Sequence, residues 1–282
     1  MASDRAGAAY PRRVSGYGFL RERRWLTLGF IVLILVPAFL LLSRWQLHRL
    51  DDRRAANALV EQNNAAAPVP VGQVLTAGAA TSSAGDAQEW RQITATGTYD
   101  ASRQVLVRKR PLDGQNGFWV VTPLVTDSGA VLVVNRGWLA ASVGATDAQP
   151  APAPPTGEVT VTGRVRLSEV SPPQPTDLPS GQITDLDVAL VVPSGQVYPA
   201  YIELTASQPA QSGDLTLLPL PDLSEGPHLS YAIQWVLFAG VAVIGFVVLA
   251  RREKQMFDTE SADSPQDSPD QPNDTVTRTD AR

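Results

Sequence analysis

Two long apolar stretches of the chain carry no charged side chain: "WLTLGFIVLILVPAFLLL" from Trp25 to Leu42, and "LSYAIQWVLFAGVAVIGFVVLA" from Leu229 to Ala250. A helix rises 1.5 Å per residue, so roughly 20 such residues cross a hydrocarbon layer of about 30 Å. The pattern predicts two transmembrane helices, over 25–46 and 227–250, with Pro37 a tolerated kink in the first. A cleaved secretory leader is the competing reading of the first stretch, since both begin with arginines and an apolar core. Its core is longer than a leader's 7–15 residues, and the bulky, charged "SRWQLHRLDDRR" stands where a small-residue cleavage site belongs. The stretch is therefore read as a retained anchor.

Behind the first span, "WQLHRLDDRRAANALVEQNN" has Leu47, Leu50 and Leu59 among charged residues and neither Gly nor Pro. This predicts that the helix continues as a stalk over 47–64. Residues 65–88 are small, polar and punctuated by Pro and Gly, a linker pattern. From Glu89 the period changes. "WRQITATGTY", "RQVLVRKR", "GFWVVTPLVT", "AVLVVNRGW", "GEVTVTGRVRL" and "QVYPAYIELTA" are β-branched or aromatic runs separated by turn residues, which predicts antiparallel strands in a barrel or sandwich. "DLDVALVV" fits a short helix or a strand, with the helix favoured. The expected fold class is an α+β membrane protein, with two transmembrane helices flanking a β-rich antiparallel extracytoplasmic domain over 89–226. A basic segment, 1–24, precedes the first span. The tail, 251–282, turns acidic and Pro/Ser-rich past Met256, where too little apolar surface offsets chain entropy and disorder is expected.

Charge sets the orientation. Arg5, Arg12, Arg13, Arg21, Arg23 and Arg24 precede the first span, and Arg251, Arg252 and Lys254 follow the second, so both termini are expected in the cytoplasm of a bacterium and the middle domain outside its plasma membrane. Arg44, Arg49, Arg53 and Arg54 at the outer end of the first span blur that signal. A net charge of -5 and the lack of a basic stripe argue against nucleic acid as a partner. With no cysteine, disulfides and thiolate sites are excluded. The two methionines, Met1 and Met256, both fall on the cytoplasmic side, so copper handling outside the membrane is not expected. Lys109 and Lys254 are the only lysines among abundant Arg, Ala and Pro, which suggests a GC-rich genome.

Enzyme chemistry finds little to stand on. The chain has no G-x-S-x-G elbow, phosphate loop or H-E-x-x-H helix, and its two histidines, His48 and His228, both sit where a span meets its outer flank. A non-enzyme is expected. On the first helix Trp45, His48 and Arg49 share a face by their i, i+3, i+4 spacing, and on the second His228, Tyr231 and Trp235 do so by i, i+3, i+7. If those faces meet, they form an aromatic collar with two imidazoles and a guanidinium. Interfacial packing explains it, since Trp and Tyr favour membrane interfaces. A haem site explains it too, because iron accepts imidazole, aromatics flank the porphyrin and Arg pairs with propionates.

"RWQLHRL", "GQNGFWVVTPLVTDSGAVLVVNRGW" and "PHLSYAIQW", in this order within a two-span frame, resemble the signature blocks of the Surfeit locus protein 1 family, the cytochrome c oxidase assembly factors. The resemblance covers about Trp25 to Arg252. It implies help in maturing an a-type haem-copper oxidase, by holding or delivering haem a to the catalytic subunit, with other respiratory subunits as further partners. Trp45, Gln46 and Arg49 match the first block; Gly117, Thr122, Pro123, Gly129, Asn135, Arg136, Gly137 and Trp138 the second; His228, Tyr231, Ala232 and Trp235 the third. The family's proposed haem ligand falls on His228, whereas a second axial role for His48 comes only from the collar argument. "SR" replaces the family's glycine before the W-Q pair, and the Pro-rich excursion after Pro172 and the acidic tail are additional.

Arg136, beside Asn135 and Trp138, is expected either to bind a carboxylate, such as a propionate or a partner's acidic loop, or to form a structural ion pair. Pro123 is expected to mark an edge or a break in its strand. Two other functions compete with the assembly factor: a permanent accessory subunit of the oxidase or of a respiratory supercomplex, and an envelope scaffold unrelated to respiration.

Overall fold

A computed structural model describes residues 17–142, 149–170, 172–211 and 215–262. Arg5, Arg12 and Arg13 and the tail beyond residue 262 lie outside the described residues. The chain forms two compact units, one from residues 1–51 and 226–282 and the other from Asp52–Glu225.

The first unit is an antiparallel helix pair. Helix α1 spans Arg23–Ala65 without a break, carrying Pro37 within it, and α3 spans His228–Ala262. Pro37 deletes one amide donor, and the rest of the ladder keeps the helix continuous. Among the described residues these two helices are long and apolar enough to cross a membrane. Their outward faces agree: Leu33 is 69% exposed and Val241 68%, while Ser43 is 6% and Ala232 1% exposed. The packed face of α1 carries Phe39, Ser43 and Gln46, and that of α3 carries His228, Ala232, Trp235 and Ala239, a 4-3-4 spacing that keeps one seam facing the partner helix. Alanines at the seam let the backbones approach closely. At the far end Phe19 and Phe246 meet the Trp25 ring edge-on, Phe19 stacks on Phe257, and Arg24 pairs with Glu253. Helix α3 runs past Met256 to Ala262, so the first residues of the tail expected to be disordered are helical, and the rest of that tail lies outside the described residues.

The second unit is a barrel-like sheet. Its strands are β1 (Val69–Pro70), β2 (Gln92–Tyr99), β3 (Val105–Val107), β4 (Gly117–Thr126), β5 (Val131–Ala140), β6 (Glu158–Leu167), β7 (Gln182–Ile183) and β8 (Val197–Gln208). The order is β1-β2-β6-β8-β5-β4-β3-β7, and β2 also pairs with β4, so β2, β6, β8, β5 and β4 close on themselves. The expectation of an antiparallel sheet needs correcting: β5–β8, β1–β2 and β3–β7 are parallel. One parallel neighbour is unavoidable, since strict alternation of direction cannot close a ring of an odd number of strands, and β5–β8 is that pair.

Closure rests on Gly97↔Thr126, Thr98↔Val125 and Tyr99↔Leu124. A Cβ at Gly97 would lie 2.2 Å from the Val125 carbonyl oxygen, so only glycine lets β2 come this close. Pro123 marks a handover. The β4 edge pairs with β3 up to Val121 and with β2 from Leu124, and the missing amide falls in the gap.

Strand β5 is buried on both faces, as its unbroken apolar run requires. Leu132 and Val134 point into the barrel core with Ile93, Leu124, Val161 and Ile202. Val131 and Val133 pack outward against Leu186, Val188, Val191 and Tyr201. The outer layer includes helix α2 (Val188–Val191), where helix wins over strand because the Asp187 carboxylate caps it by accepting from the Ala189 amide at 2.9 Å. Residues 65–88 do more than link, since Val71 and Leu75 enter the barrel core. The end of α1 is likewise tied to this unit: the Asn63 amide donates to the Glu89 carbonyl at 2.7 Å, and Arg53 Nη2 to the Asp222 carbonyl at 3.0 Å.

Candidate functional site

Pro227 precedes the first helical residue of α3, so His228 occupies a chain entry point with its ring free to turn toward the helix seam. There Nδ1 lies 2.9 Å from Gln46 Oε1. One turn along, Ser43 Oγ donates to the Ala232 carbonyl at 3.0 Å, and Phe39 stacks on Trp235 at 5.6 Å. These contacts set both the rotation and the axial register of the pair. The opposite edge of the imidazole faces Gly226, where a Cβ would stand 3.6 Å from both Cδ2 and Nε2. Gly226 adopts a φ of +68°, a conformation that favours glycine, beside that edge.

The two faces singled out in the sequence do not meet as expected. Gln46, not His48, points at His228, and two residues along a helix is a rotation of about 200°. Trp45, His48 and Arg49 are exposed on another flank of α1, and Tyr231 is exposed on α3. Trp235 is half-buried against Phe39 and Phe238. Of the collar residues, His228 and Trp235 lie at the seam. A metal-binding imidazole is neutral and usually has its second nitrogen held by an acceptor, and Gln46 Oε1 stands in that position toward His228.

Arg136 belongs to the barrel domain and is wholly buried. Asn135 opposes Val121 and Gly137 opposes Val120, so Arg136 is the bulged residue of β5. Its guanidinium donates to Gln104 Oε1 and the Pro152 carbonyl, both at 2.9 Å, to the Ala153 carbonyl at 3.1 Å and to Gln211 Oε1 at 3.3 Å. The neighbouring Tyr99 ring is 5.8 Å away. Burial lowers the guanidinium pKa and raises that of the Tyr99 phenol. Among the described residues Arg136 has no carboxylate partner: neutral acceptors hold it and tie β5 to flanking loops.

A buried ionic cluster escaped the sequence reading. Arg164 on β6 is opposite Glu203 on β8, with Nη2 3.2 Å from Oε2 and 2.7 Å from the Leu218 carbonyl. Arg166, two residues on and so on the same face, reaches Glu89 at 3.0 Å and Glu203 at 3.4 Å and lies 3.8 Å over the Trp90 ring. Burial pushes the Glu203 carboxyl up against the pull of Arg166 and Arg164, and pulls Arg164 down against the pull of Glu203. The available signal was Glu203 standing alone in the apolar run "YIELTA", in a domain whose "GRVRL" strand sets two arginines on one face.

An antiparallel pair of apolar helices, joined through one barrel-like domain of mixed sheet, is the class that fold and site define. The SURF1 family profile matches residues 33–240, and the chain belongs to that family. Over 266 residues it is 35% identical to uncharacterised SURF1-like proteins of Mycobacterium bovis and Mycobacterium tuberculosis, covering 90% of this chain and 93% of each relative. A SURF1-like protein of Dictyostelium discoideum is 26% identical over 117 residues, 40% of this chain and 43% of that one. Mycobacterial relatives are consistent with the GC-rich origin read from composition.

Proposed function

We propose that this protein is a membrane-anchored assembly factor for an a-type haem-copper cytochrome c oxidase, and that it holds haem a on His228 before the catalytic subunit takes it. Family membership supports the general role, since SURF1 proteins generally serve cytochrome oxidase assembly. The observation that carries the haem reading is His228 itself: Nδ1 is occupied by Gln46, while the Nε2 edge lies beside Gly226, away from that contact. Haem a is cargo in this reading, and the protein makes and breaks no covalent bond. His228 supplies one ligand and Gln46 holds the ring. His48 stands on another flank and is not required, so the oxidase can offer better ligation and remove the cargo. Arg21 precedes α1, Arg23 and Arg24 open it, and Arg251, Arg252 and Lys254 lie near the end of α3, so the antiparallel pair gathers them at one end. This supports cytoplasmic termini and a barrel-like domain outside the plasma membrane.

The test is the pyridine haemochrome spectrum of protein purified from a haem a-producing host. Wild type and His48→Ala are expected to carry haem a, and His228→Ala to lose it. Equal colour in wild type and His228→Ala refutes the assignment of the ligand. If all three are colourless and the protein co-purifies stoichiometrically with the oxidase, it is an accessory subunit instead.

A further inference from the structure

We propose that Gln46 is the positioning residue that selects the tautomer of His228. A neutral imidazole has one N–H donor and one acceptor nitrogen, and a side-chain carbonyl oxygen only accepts. With Gln46 Oε1 2.9 Å from Nδ1, the proton resides on Nδ1 and the lone pair on Nε2, the nitrogen beside Gly226. Were the Gln46 amide reversed, its N–H₂ would donate to Nδ1, the proton would move to Nε2, and that nitrogen could no longer bind a metal. The side-chain amide of one helix thus decides whether a histidine on the other is a ligand. The geometry is not left to a freely rolling pair, because the Ser43–Ala232 bond and the Phe39–Trp235 stack hold the same seam in register one and two turns away. The consequence for haem rests on the function proposed above; the tautomer does not.

Two histidines in the chain make the experiment simple. The full-length, haem-free protein, labelled with [15N]histidine in detergent, is examined by long-range 1H–15N correlation of the ring nitrogens. His48→Ala assigns the two signals, and exposed His48 in the wild type is the internal reference. The expected wild-type His228 pattern has a protonated Nδ1 and an unprotonated Nε2. Gln46→Leu, which deletes the acceptor, is expected to mix the tautomers, and Gln46→Glu, which keeps an acceptor oxygen, to keep Nδ1 protonated, whether or not its charge also protonates Nε2. Ser43→Ala removes the neighbouring interhelical bond and is expected to leave the tautomer alone, because the Phe39–Trp235 stack remains. An Nε2–H tautomer in the wild type, or an unchanged pattern in Gln46→Leu, overturns the proposal. So does loss of the Nδ1 proton in Gln46→Glu, or loss of the pattern in Ser43→Ala, which would make the effect one of helix packing.

Haemin titration of the same proteins separates this from the proposed function. Loss of an outer-shell partner costs about 10–100-fold in metal affinity, and Gln46→Leu is expected to fall in that range. If wild type binds no haem and the ring spectra behave as stated, the haem reading fails and Gln46 keeps its role. If wild type binds haem through His228 and Gln46→Leu binds equally well with an unchanged tautomer, the Gln46 proposal alone fails.

Discussion

Glu203→Leu is expected to destabilise the barrel-like domain more than Arg164→Met, although the two residues form one ion pair. The asymmetry follows from the partners left behind. Without Arg164, Glu203 still has Arg166 at 3.4 Å. Without Glu203, the Arg164 guanidinium, only 5% exposed, keeps among the described residues no carboxylate and one acceptor, the Leu218 carbonyl. Stranding a buried charge costs about 3–5 kcal/mol, and replacing both partners by apolar groups of similar volume is often neutral or stabilising. Burial shifts both members toward their neutral forms despite the pairing, so desolvation outweighs attraction at this site. We therefore expect about 3 kcal/mol lost in Glu203→Leu, less in Arg164→Met, and a double variant within about 1 kcal/mol of wild type. At about 2–4 °C per kcal/mol for a domain of this size, Glu203→Leu should melt about 6–12 °C lower. Thermal melts of the detergent-solubilised protein, followed by tryptophan fluorescence, read this directly, Trp90 lying under Arg166 in the cluster. If the double variant loses the sum of the two single losses, or if Arg164→Met is the worse single change, the reasoning is refuted.

Gly97→Ala places a methyl group 2.2 Å from the Val125 carbonyl, so β2 and β4 cannot close as they stand; a markedly lower melting temperature and protease sensitivity in the barrel-like domain are expected, and wild-type resistance would contradict the closure described. Because the chain has no cysteine, the helix seam can be tested without background: Ser43→Cys with Ala232→Cys should crosslink under mild oxidation, whereas His48→Cys with His228→Cys should not, and the reverse outcome would mean that α1 is rotated from the position described. Asp100 has its carboxyl held low by hydrogen bonds from Ser102 and Arg103. A depressed folded-state pKa gives stability that is present above the ordinary aspartate value of 3.8 and is lost as the pH falls through the folded value. The deficit of Asp100→Asn against wild type should accordingly be constant from neutral pH down to that point and shrink below it in acid melts, and a deficit that persists in strong acid would place its cause elsewhere.

Local signals in the chain were sufficient for the elements that depend on local rules. Uncharged apolar runs mark α1 and α3, and β-branched and aromatic runs between turn residues mark β2, β4, β5, β6 and β8, because solvation and local propensity act residue by residue. What escaped depends on relations between distant residues. The β5–β8 parallel pair follows from how many strands close the ring, which no single strand encodes. Arg164 and Glu203 are 39 positions apart and are brought opposite each other only by the β6–β8 register. Arg136 reads in the sequence as a carboxylate binder or a member of an ion pair, whereas its bulged position on β5 buries it among neutral oxygen acceptors from distant loops. The collar shows the same limit most sharply. Helical spacing says which residues share a face, and Trp45, His48 and Arg49 do share one; it does not say which face meets the partner helix. Close packing decides that, and the residues able to pack are Ser43 and Ala232, small enough to let the backbones meet. Once they define the seam, Gln46 and His228 fall together at its next position and His48 turns away. A site with one histidine and an amide, instead of two histidines, is thus a consequence of where the small residues lie on the two helices.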